Sequence, residues 1–244
     1  MKDFFSLYDT IIDNIVPGTV IERTVTGERW SACANGDALG ISMAMDCGSI
    51  APMFPSGLAG MDIKNAAEAI KSWNLTEASL GLAAANLWYN TKERMKALDC
   101  FEPYENYCTA GLDFKGKTVA AIGHLNMTEE IHSKAKRVYI IERDPRIGDY
   151  PDAACDYILP HCDIVLITGS TISNKTLPHL LSLCENAYTI LIGPSVPMCP
   201  ALLEHGIDRL AGMIVTDADA MAKKAENGER GNPYVFGQSW LIKK

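Results

Sequence analysis

Residues 117–130 read KTVAAIGHLNMTEE, an apolar run that ends in a glycine and continues into residues typical of a helix start. A buried strand, a glycine and a helix in this order form the first unit of many nucleotide-binding α/β folds. The dinucleotide fingerprint G-x-G-x-x-G needs three glycines, but GHLNMT supplies only Gly123. His124 and Asn126 stand where the phosphates of NAD would lie, so the sequence argues against NAD.

The second half of the chain contains four more apolar runs: RVYIIE, DIVLIT, YTILIG and GMIVT. They are continuous rather than alternating, as expected for strands that are buried on both faces of a parallel sheet. Helical patterns follow several of them: NKTLPHLLSLCENA, PALLEHGI and ADAMAKKAE. Between RVYIIE and DIVLIT there are too many turn residues for a regular helix, so we expect a shortened unit there. The sequence predicts an α/β, Rossmann-like domain with a mainly parallel sheet.

The first half follows a different pattern. DFFSLYDTIIDNIVPG places its apolar residues on one helical face, with Asp3 as N-cap and Pro17-Gly18 as the stop. The runs TVIERTV, RWSACA and ALGISMAM then predict a three-stranded antiparallel meander, and Asn35-Gly36-Asp37 is a hairpin signal. Two helical patterns follow, which makes this an α+β domain. We therefore divide the chain into residues 1–98, a linker at 99–115 with little periodicity, and residues 116–244.

Composition limits the function classes. The chain has 244 residues, 48% of them hydrophobic and 21% charged, and no apolar run approaches the ~20 residues of a membrane span. A formal charge of −8 argues against nucleic acid as a partner, because phosphate binding needs clustered cations. The eight cysteines include no CxxC pair, and there is no signal peptide, so we expect a cytoplasmic protein with reduced thiols and a small-molecule partner.

Ligands of open parallel sheets bind outside the carboxyl ends of the strands, and three predicted strand ends carry glycines and polar residues. Each glycine lets the backbone approach a ligand, and each stretch opens a helix whose free N–H groups favour an anion. Asn174 is expected to cap a helix that begins at Lys175, or to face the same crevice. The predicted ligand-binding residues are Gly123, Asn126, Thr168, Gly169, Ser170, Asn174, Thr176, Gly193, Pro194, Ser195 and Pro197.

Two ionisable residues lie at the same edge. Glu142 ends the second strand 19 residues after Gly123, where related folds hold a ribose hydroxyl with a carboxylate. Alternatively, Glu142 pairs with neighbouring arginines such as Arg143. His124 is a candidate general base, metal ligand or hydrogen-bond donor, or else a loop histidine with a satisfied ring.

The run VAAIGHLN…YIIERDPRIGDYPD…DIVLITGSTISNKTLPHLL…ILIGPSVPMCPALLEHGIDRLAG resembles a prokaryotic family of unknown function described as a heavy-metal chelation domain. The resemblance implies an enolase N-terminal-like domain followed by a Rossmann-like domain, with a pocket between them. It also implies that Asn86, within GLAAAN, reaches this pocket, or else makes a buried hydrogen bond from its helix to a loop, and that DCGSIAPMFPSG serves as the lid of the pocket. The roles implied for the family are heavy-metal chelation, or condensation, hydrolysis or transfer on pterin-, flavin- or siderophore-like compounds.

Two hypotheses follow. The first is a small-molecule enzyme that uses His124 and Glu142 as acid/base or orienting groups. The alternative is a non-catalytic binding protein for a metal or a metal-chelating small molecule, with coordination by His124 and a thiol such as Cys47 or Cys199 as a special case. A divalent metal ion and an S-adenosylmethionine-like ligand stay open as cofactors. Homo-oligomerisation through Trp88, Tyr89 and Trp240 stays open against packing of the same residues between the domains.

Overall fold

A computed structural model of the chain describes residues 5–48, 50–98, 101–103, 111–125 and 129–244. The α-helices are α1 (Ser6–Asp13), α2 (Ile63–Ala67), α3 (Leu75–Tyr89), α4 (Lys92–Lys96), α5 (Glu129–Lys134), α6 (Cys155–Ile158), α7 (Ser170–Ser173), α8 (Leu177–Leu183) and α9 (Ala218–Glu226). Short segments of 3-10 helix cover Glu68–Lys71, Asp152–Ala154, Leu159–His161, Pro200–His205 and Pro233–Phe236. The strands are β1 (Arg23–Thr26), β2 (Trp30–Asn35), β3 (Ala38–Met43), β4 (Phe101–Pro103), β5 (Thr118–Ile122), β6 (Arg137–Glu142), β7 (Tyr150–Pro151), β8 (Ile164–Thr168), β9 (Tyr188–Ile192), β10 (Arg209–Val215) and β11 (Gly237–Lys243).

The first part of the chain is the predicted α+β unit. Strands β1, β2 and β3 form an antiparallel meander in sequence order, and Gly36, with φ of +51°, turns the chain between β2 and β3. Helix α3 starts at its N-cap Asn74, whose side chain accepts the Glu77 N–H, and crosses β2 and β3. Helix α1 ends at Asp13, before the predicted Pro17-Gly18 stop, and the predicted cap Asp3 lies outside the described residues.

The second part contains the predicted, mainly parallel sheet. In the described part of the chain its strands are ordered β4-β11-β10-β9-β8-β5-β6-β7. From β10 to β7 in this order, each strand pairs in parallel with its neighbour, and β5 lies between β8 and β6. At one edge, β11 and β4 add antiparallel pairs. The chain leaves β5 towards β6 on one side and returns to β8 on the other. This reversal is the position at which open α/β sheets bind ligands.

The stretch between β6 and β8, which was predicted as a shortened unit, contains only elements of two to four residues, from β7 to the 3-10 turn Leu159–His161. Within the predicted linker 99–115, Phe101–Pro103 pairs with β11, and Phe114 is buried beside the sheet. Residues 99–100 and 104–110 lie outside the described residues.

One hydrophobic core joins the two parts of the chain. Consecutive strand residues alternate between the two faces of the large sheet, as Val165 and Leu166 do. The apolar side chains on the Val165 face belong to the same core as those of α1, α2 and α3. Tyr89 and Trp240 are buried in this core and pack within the chain, whereas homo-oligomerisation stays a prediction. Within the described ranges no helix has the length and apolar character needed to span a bilayer.

Candidate functional site

The carboxyl ends of β5 and β8 meet at the point where the chain reverses. Gly123 follows β5 with φ of +101°, a conformation that residues with a side chain rarely adopt. Its N–H donates to Ile141 O at 3.0 Å, and a Cβ at this position would lie 3.1 Å from Thr168 Cγ2. The glycine therefore lets the loop after β5 turn closely past Thr168, and it directs His124 towards the end of β6.

Glu142, the last residue of β6, binds the loop that contains His124. Its Oε1 accepts the His124 backbone N–H at 2.7 Å and lies 2.9 Å from His124 Nδ1. Its Oε2 accepts the Arg143 backbone N–H at 3.1 Å. Both carboxylate oxygens are thus engaged within the chain, and a ribose hydroxyl would have to compete for them.

A second carboxylate, which the sequence did not reveal, binds the other side of the His124 ring. Asp149 Oδ2 lies 2.6 Å from His124 Nε2 and also accepts the Arg146 backbone N–H at 2.8 Å. The hydrogen bond from the Arg146 N–H lowers the pKa of the Asp149 carboxyl below its usual range, and the hydrogen bond from the His124 ring lowers it further. Asp149 is therefore ionised at neutral pH.

Glu142, His124 and Asp149 form a continuous hydrogen-bonded chain of three side chains, which we call the relay. Because an ionised carboxylate only accepts hydrogen bonds, His124 Nε2 donates to Asp149. On the other side of the ring, Nδ1 lies within hydrogen-bond distance of Glu142 Oε1. The relay reaches solvent, since 28% of the His124 side chain and 22% of the Glu142 side chain are exposed. It is therefore suited to pass a proton to or from a bound molecule.

Other predicted site residues are buried in contacts within and between the two parts of the chain. Ser195 Oγ accepts the Met43 N–H at 2.8 Å, and Asn86 Nδ2 donates to Ile41 O at 2.7 Å. The Asn86 side-chain oxygen is buried and has no hydrogen-bond partner among the described residues. Ser170 is also buried, and its hydroxyl lies 3.1 Å from that of Thr168.

The loops after β8 and β9 pack tightly on one another. Gly169 N donates to Ile192 O at 2.9 Å, and a Cβ on Gly169 would lie 2.8 Å from Val196 N. Gly193 has φ of +122°, Pro197 is buried and Pro194 is partly buried. These glycines and prolines shape the wall beside the relay through backbone packing.

Asn90 fixes this wall and was missed by sequence reasoning. At the end of α3, its buried Nδ2 donates to Val196 O at 2.9 Å and to Met213 O at 3.1 Å. Its Oδ1 accepts the Met198 N–H at 2.9 Å. No local pattern marks an asparagine after a helix as the residue that joins the helix to the loop after β9 and to strand β10.

The prediction that Asn174 caps a helix beginning at Lys175 is wrong, because α8 begins at Leu177 with Thr176 as N-cap. Asn174 Oδ1 instead accepts the N–H of Thr176 at 3.1 Å and its hydroxyl at 2.6 Å. This side-chain turn places Lys175 in the left-handed region, with φ of +68°. The Lys175 ammonium then donates to Ser173 O and, in the first part of the chain, to Ile70 O.

Burial lowers the pKa of Lys175 from 10.5 to about 8. Between these values the unfolded chain binds more protons than the folded one, so the free energy of unfolding rises with pH. We expect Lys175→Met to reduce this rise between about pH 7 and pH 9, measured by urea unfolding. The comparison ends near pH 9. Above this pH, buried thiols such as Cys155, whose pKa burial raises from 9.0 to about 11, make the free energy of unfolding fall as the pH rises. Equal slopes in both proteins would contradict the assignment.

Metal-binding residues are not assembled in the described ranges. They contain no group of three or more His, Cys, Asp or Glu side chains placed to hold a metal ion. Of the two thiols considered with His124, Cys47 is exposed, whereas Cys199 is buried and burial raises its pKa. Asn126 lies outside the described residues.

The segment predicted as a lid, residues 46–57, is held against the start of α3. The buried Glu77 carboxylate accepts the N–H groups of Met53 and Phe54, each at 2.7 Å. Asn74 donates to Ile50 O at 2.8 Å. A cavity of about 360 Å³ beside this segment is lined by residues that include Pro52 and Leu80. The segment follows Met43, which bonds Ser195, and so begins beside the loop after β9.

Known proteins share the fold of this chain. Residues 110–239 match the DUF364 family model and residues 8–89 match the DUF4213 model, both described as "Putative heavy-metal chelation". A protein of unknown function from the DUF364 family of Desulfitobacterium hafniense DCB-2 has a crystal structure that covers 100% of both chains, with 32% identity and a TM-score of 0.88. A second DUF364 protein of unknown function, PH1506 from Pyrococcus horikoshii, covers 98% of this chain and 100% of its own at a TM-score of 0.79, and its 20% identity supports the fold alone.

The uncharacterized protein MJ0500 of Methanocaldococcus jannaschii is 30% identical over 158 residues. The match covers 61% of this chain and 58% of that relative, so the chain spans little more than half of its length. The resemblance seen in the sequence and the two-part fold class are both confirmed. Because the DUF364 model alone matches more than half of the 244 residues, this chain belongs to the DUF364 family, described by the words "Putative heavy-metal chelation".

Proposed function

We propose that the protein is an enzyme that binds a small polar molecule at the carboxyl edge of β5, β6 and β8 and transfers a proton to or from it. The observation that carries the proposal is the relay, in which His124 Nδ1 lies 2.9 Å from Glu142 Oε1 where the sheet reverses its strand order. The family description supplies the words heavy-metal chelation, and from the resemblance we infer a pterin-, flavin- or siderophore-like substrate linked to it. The reaction class is condensation, hydrolysis or transfer.

The groups around the relay favour a ligand that has hydrogen-bond donors. The Glu142 carboxylate is the acceptor at the edge of the crevice, and a ligand hydroxyl or N–H can replace one of its present donors. Thr168 Oγ1, 3.1 Å from Ser170 Oγ, adds a hydroxyl on the β8 side. Gly123 leaves space between these groups, because any side chain there would contact Thr168.

The test begins with native mass spectrometry of freshly purified protein, which identifies a retained ligand. A thermal-shift panel of flavins, pterins, S-adenosylmethionine and divalent metal ions follows. We expect Glu142→Gln and His124→Ala to weaken binding of the ligand found by about tenfold or more, or about 1.4 kcal/mol. Their melting temperatures without ligand should change little, because both side chains are partly exposed.

His179→Ala is the matched control. His179 forms a similar contact, 3.2 Å from Asp156 Oδ1, but on an open surface where more than half of each side chain is exposed. It should bind the ligand like the wild type. If Glu142→Gln and His124→Ala also bind normally, the crevice lies elsewhere, and if both unfold, their roles are structural.

A non-catalytic binding protein is the second candidate, and the family description favours it. Both ring nitrogens of His124 are engaged by carboxylates, so the relay in this arrangement offers a metal ion no imidazole lone pair. A metal would therefore arrive already bound to a chelating molecule. Incubating the retained ligand with wild type and with Glu142→Gln distinguishes the candidates, since only an enzyme yields a product of changed mass.

A further inference from the structure

We propose that Asp149 is a positioning residue, which holds the His124 ring by Nε2 and so makes Nδ1 the nitrogen that exchanges a proton with Glu142. The inference rests on the proposed function, because it assigns the His124–Glu142 contact as the proton-transferring part of the site. It adds a residue that neither the sequence motifs nor the family description indicates.

Strand pairing brings Asp149 to the ring. Asp149 directly precedes β7, and β7 pairs in parallel with the end of β6, with Tyr150 opposite Ile141 and Pro151 opposite Glu142. This register places Asp149 beside the carboxyl end of β6, while His124 follows the neighbouring strand β5. Three adjacent strands thus each contribute one member of the relay, and their hydrogen-bonded register fixes the separations.

Asp149 itself is held in place. Its Oδ2 accepts the Arg146 backbone N–H at 2.8 Å, in a turn where Gly148 has φ of +99°. Only 9% of its side chain is exposed, compared with 28% for His124. The Oδ2–Nε2 distance of 2.6 Å is that of a strong, charge-assisted hydrogen bond. Asp149 is therefore the fixed end of the relay.

The bond to Asp149 decides the tautomer. An imidazole that donates from Nε2 to a carboxylate leaves Nδ1 to share a proton with its other neighbour. Without Asp149, Glu142 is the one carboxylate among the described residues that still contacts the ring, and a neutral ring satisfies it by donating from Nδ1. Nε2 then loses its proton, and Nδ1 can no longer accept one from Glu142.

The test is the nitrogen-15 spectrum of the His124 ring in the ligand-free protein, with signals assigned by comparison with His124→Gln. In the wild type, Nε2 should have the chemical shift of a protonated nitrogen. In Asp149→Ala, it should move to the range of an unprotonated nitrogen. In Glu142→Gln, it should stay protonated, because Asp149 is intact.

Asp156→Asn is the matched control: it should change the His179 ring, its partner, and leave His124 unchanged. If Asp149→Ala does not fold, Asp149→Ser keeps a polar group in the turn but is too short to reach the ring, and the same shift of Nε2 is expected. A role for Asp149 in stability alone would lower the melting temperature without moving the His124 signals, and that result would overturn the proposal. Because no ligand is needed, the outcome is separate from the ligand-binding test of the proposed function.

Discussion

Replacing Gly40 by alanine is expected to lower the free energy of unfolding by at least about 3 kcal/mol. Gly40 lies in the centre of β3, where α3 crosses the meander. A Cβ at this position would overlap the backbone of Ala83 and Leu87, and neither group is the end of a flexible side chain. Because α3 is packed on its other side against the shared core, the strain can be relieved only by moving the helix away from the sheet.

Urea unfolding of the variant measures this loss. Gly48→Ala is the control, since the nearest atom to a Cβ there is the side-chain Nδ2 of Asn74 at 3.4 Å. It should stay within about 0.5 kcal/mol of the wild type. If the two variants were equally stable, the close contact of α3 and β3 would be disproved.

Replacing Asn90 by alanine is expected to cost about 3 kcal/mol of unfolding free energy. The substitution removes three buried hydrogen bonds and leaves the Val196 and Met213 carbonyls and the Met198 N–H without their partner. Asn90→Asp should be more harmful still, because a carboxylate oxygen would face the two carbonyl oxygens that the amide now binds. Unfolding in urea measures both variants.

Asn14→Ala is the matched control for Asn90. Asn14 also follows a helix and donates to a backbone carbonyl, Thr10 O at 2.9 Å, but it is exposed. Its loss should cost no more than about 0.5 kcal/mol. A similarly small effect at Asn90 would mean that its amide does not join α3 to the loop after β9.

Much of the fold could be predicted because its signals are local. Continuous apolar runs mark strands of a sheet covered on both faces, and Asn35-Gly36 marks a tight turn. The same patterns placed Gly123, His124 and Glu142 at one sheet edge, where the structure joins His124 and Glu142 by hydrogen bonds. Strand β11 was not predicted, and β4 lies within the segment assigned as linker.

Other features of the candidate site depend on contacts between distant residues. Ser195 and Asn86 stay predicted ligand-binding residues, and the structure places their side chains in buried contacts with Met43 and Ile41. Their types are equally suited to both roles, and a sequence does not show which groups face solvent. Asp149 lies in a turn rich in charged residues, where nothing distinguishes it from Asp144.

The sequence by itself determined most of the strands, the glycine turns and the two ionisable residues nearest the reversal of the sheet, because each depends on hydrophobic period or on the conformational freedom of one residue. Only the tertiary structure decided that Asp149 completes the relay and that Asn90 fixes the wall beside it. The physical reason is strand pairing and helix packing: a parallel register brings β5, β6 and β7 side by side, and α3 carries Asn90 to loops more than a hundred residues away. Hydrogen bonds over such separations follow from the packed fold and have no counterpart in local pattern.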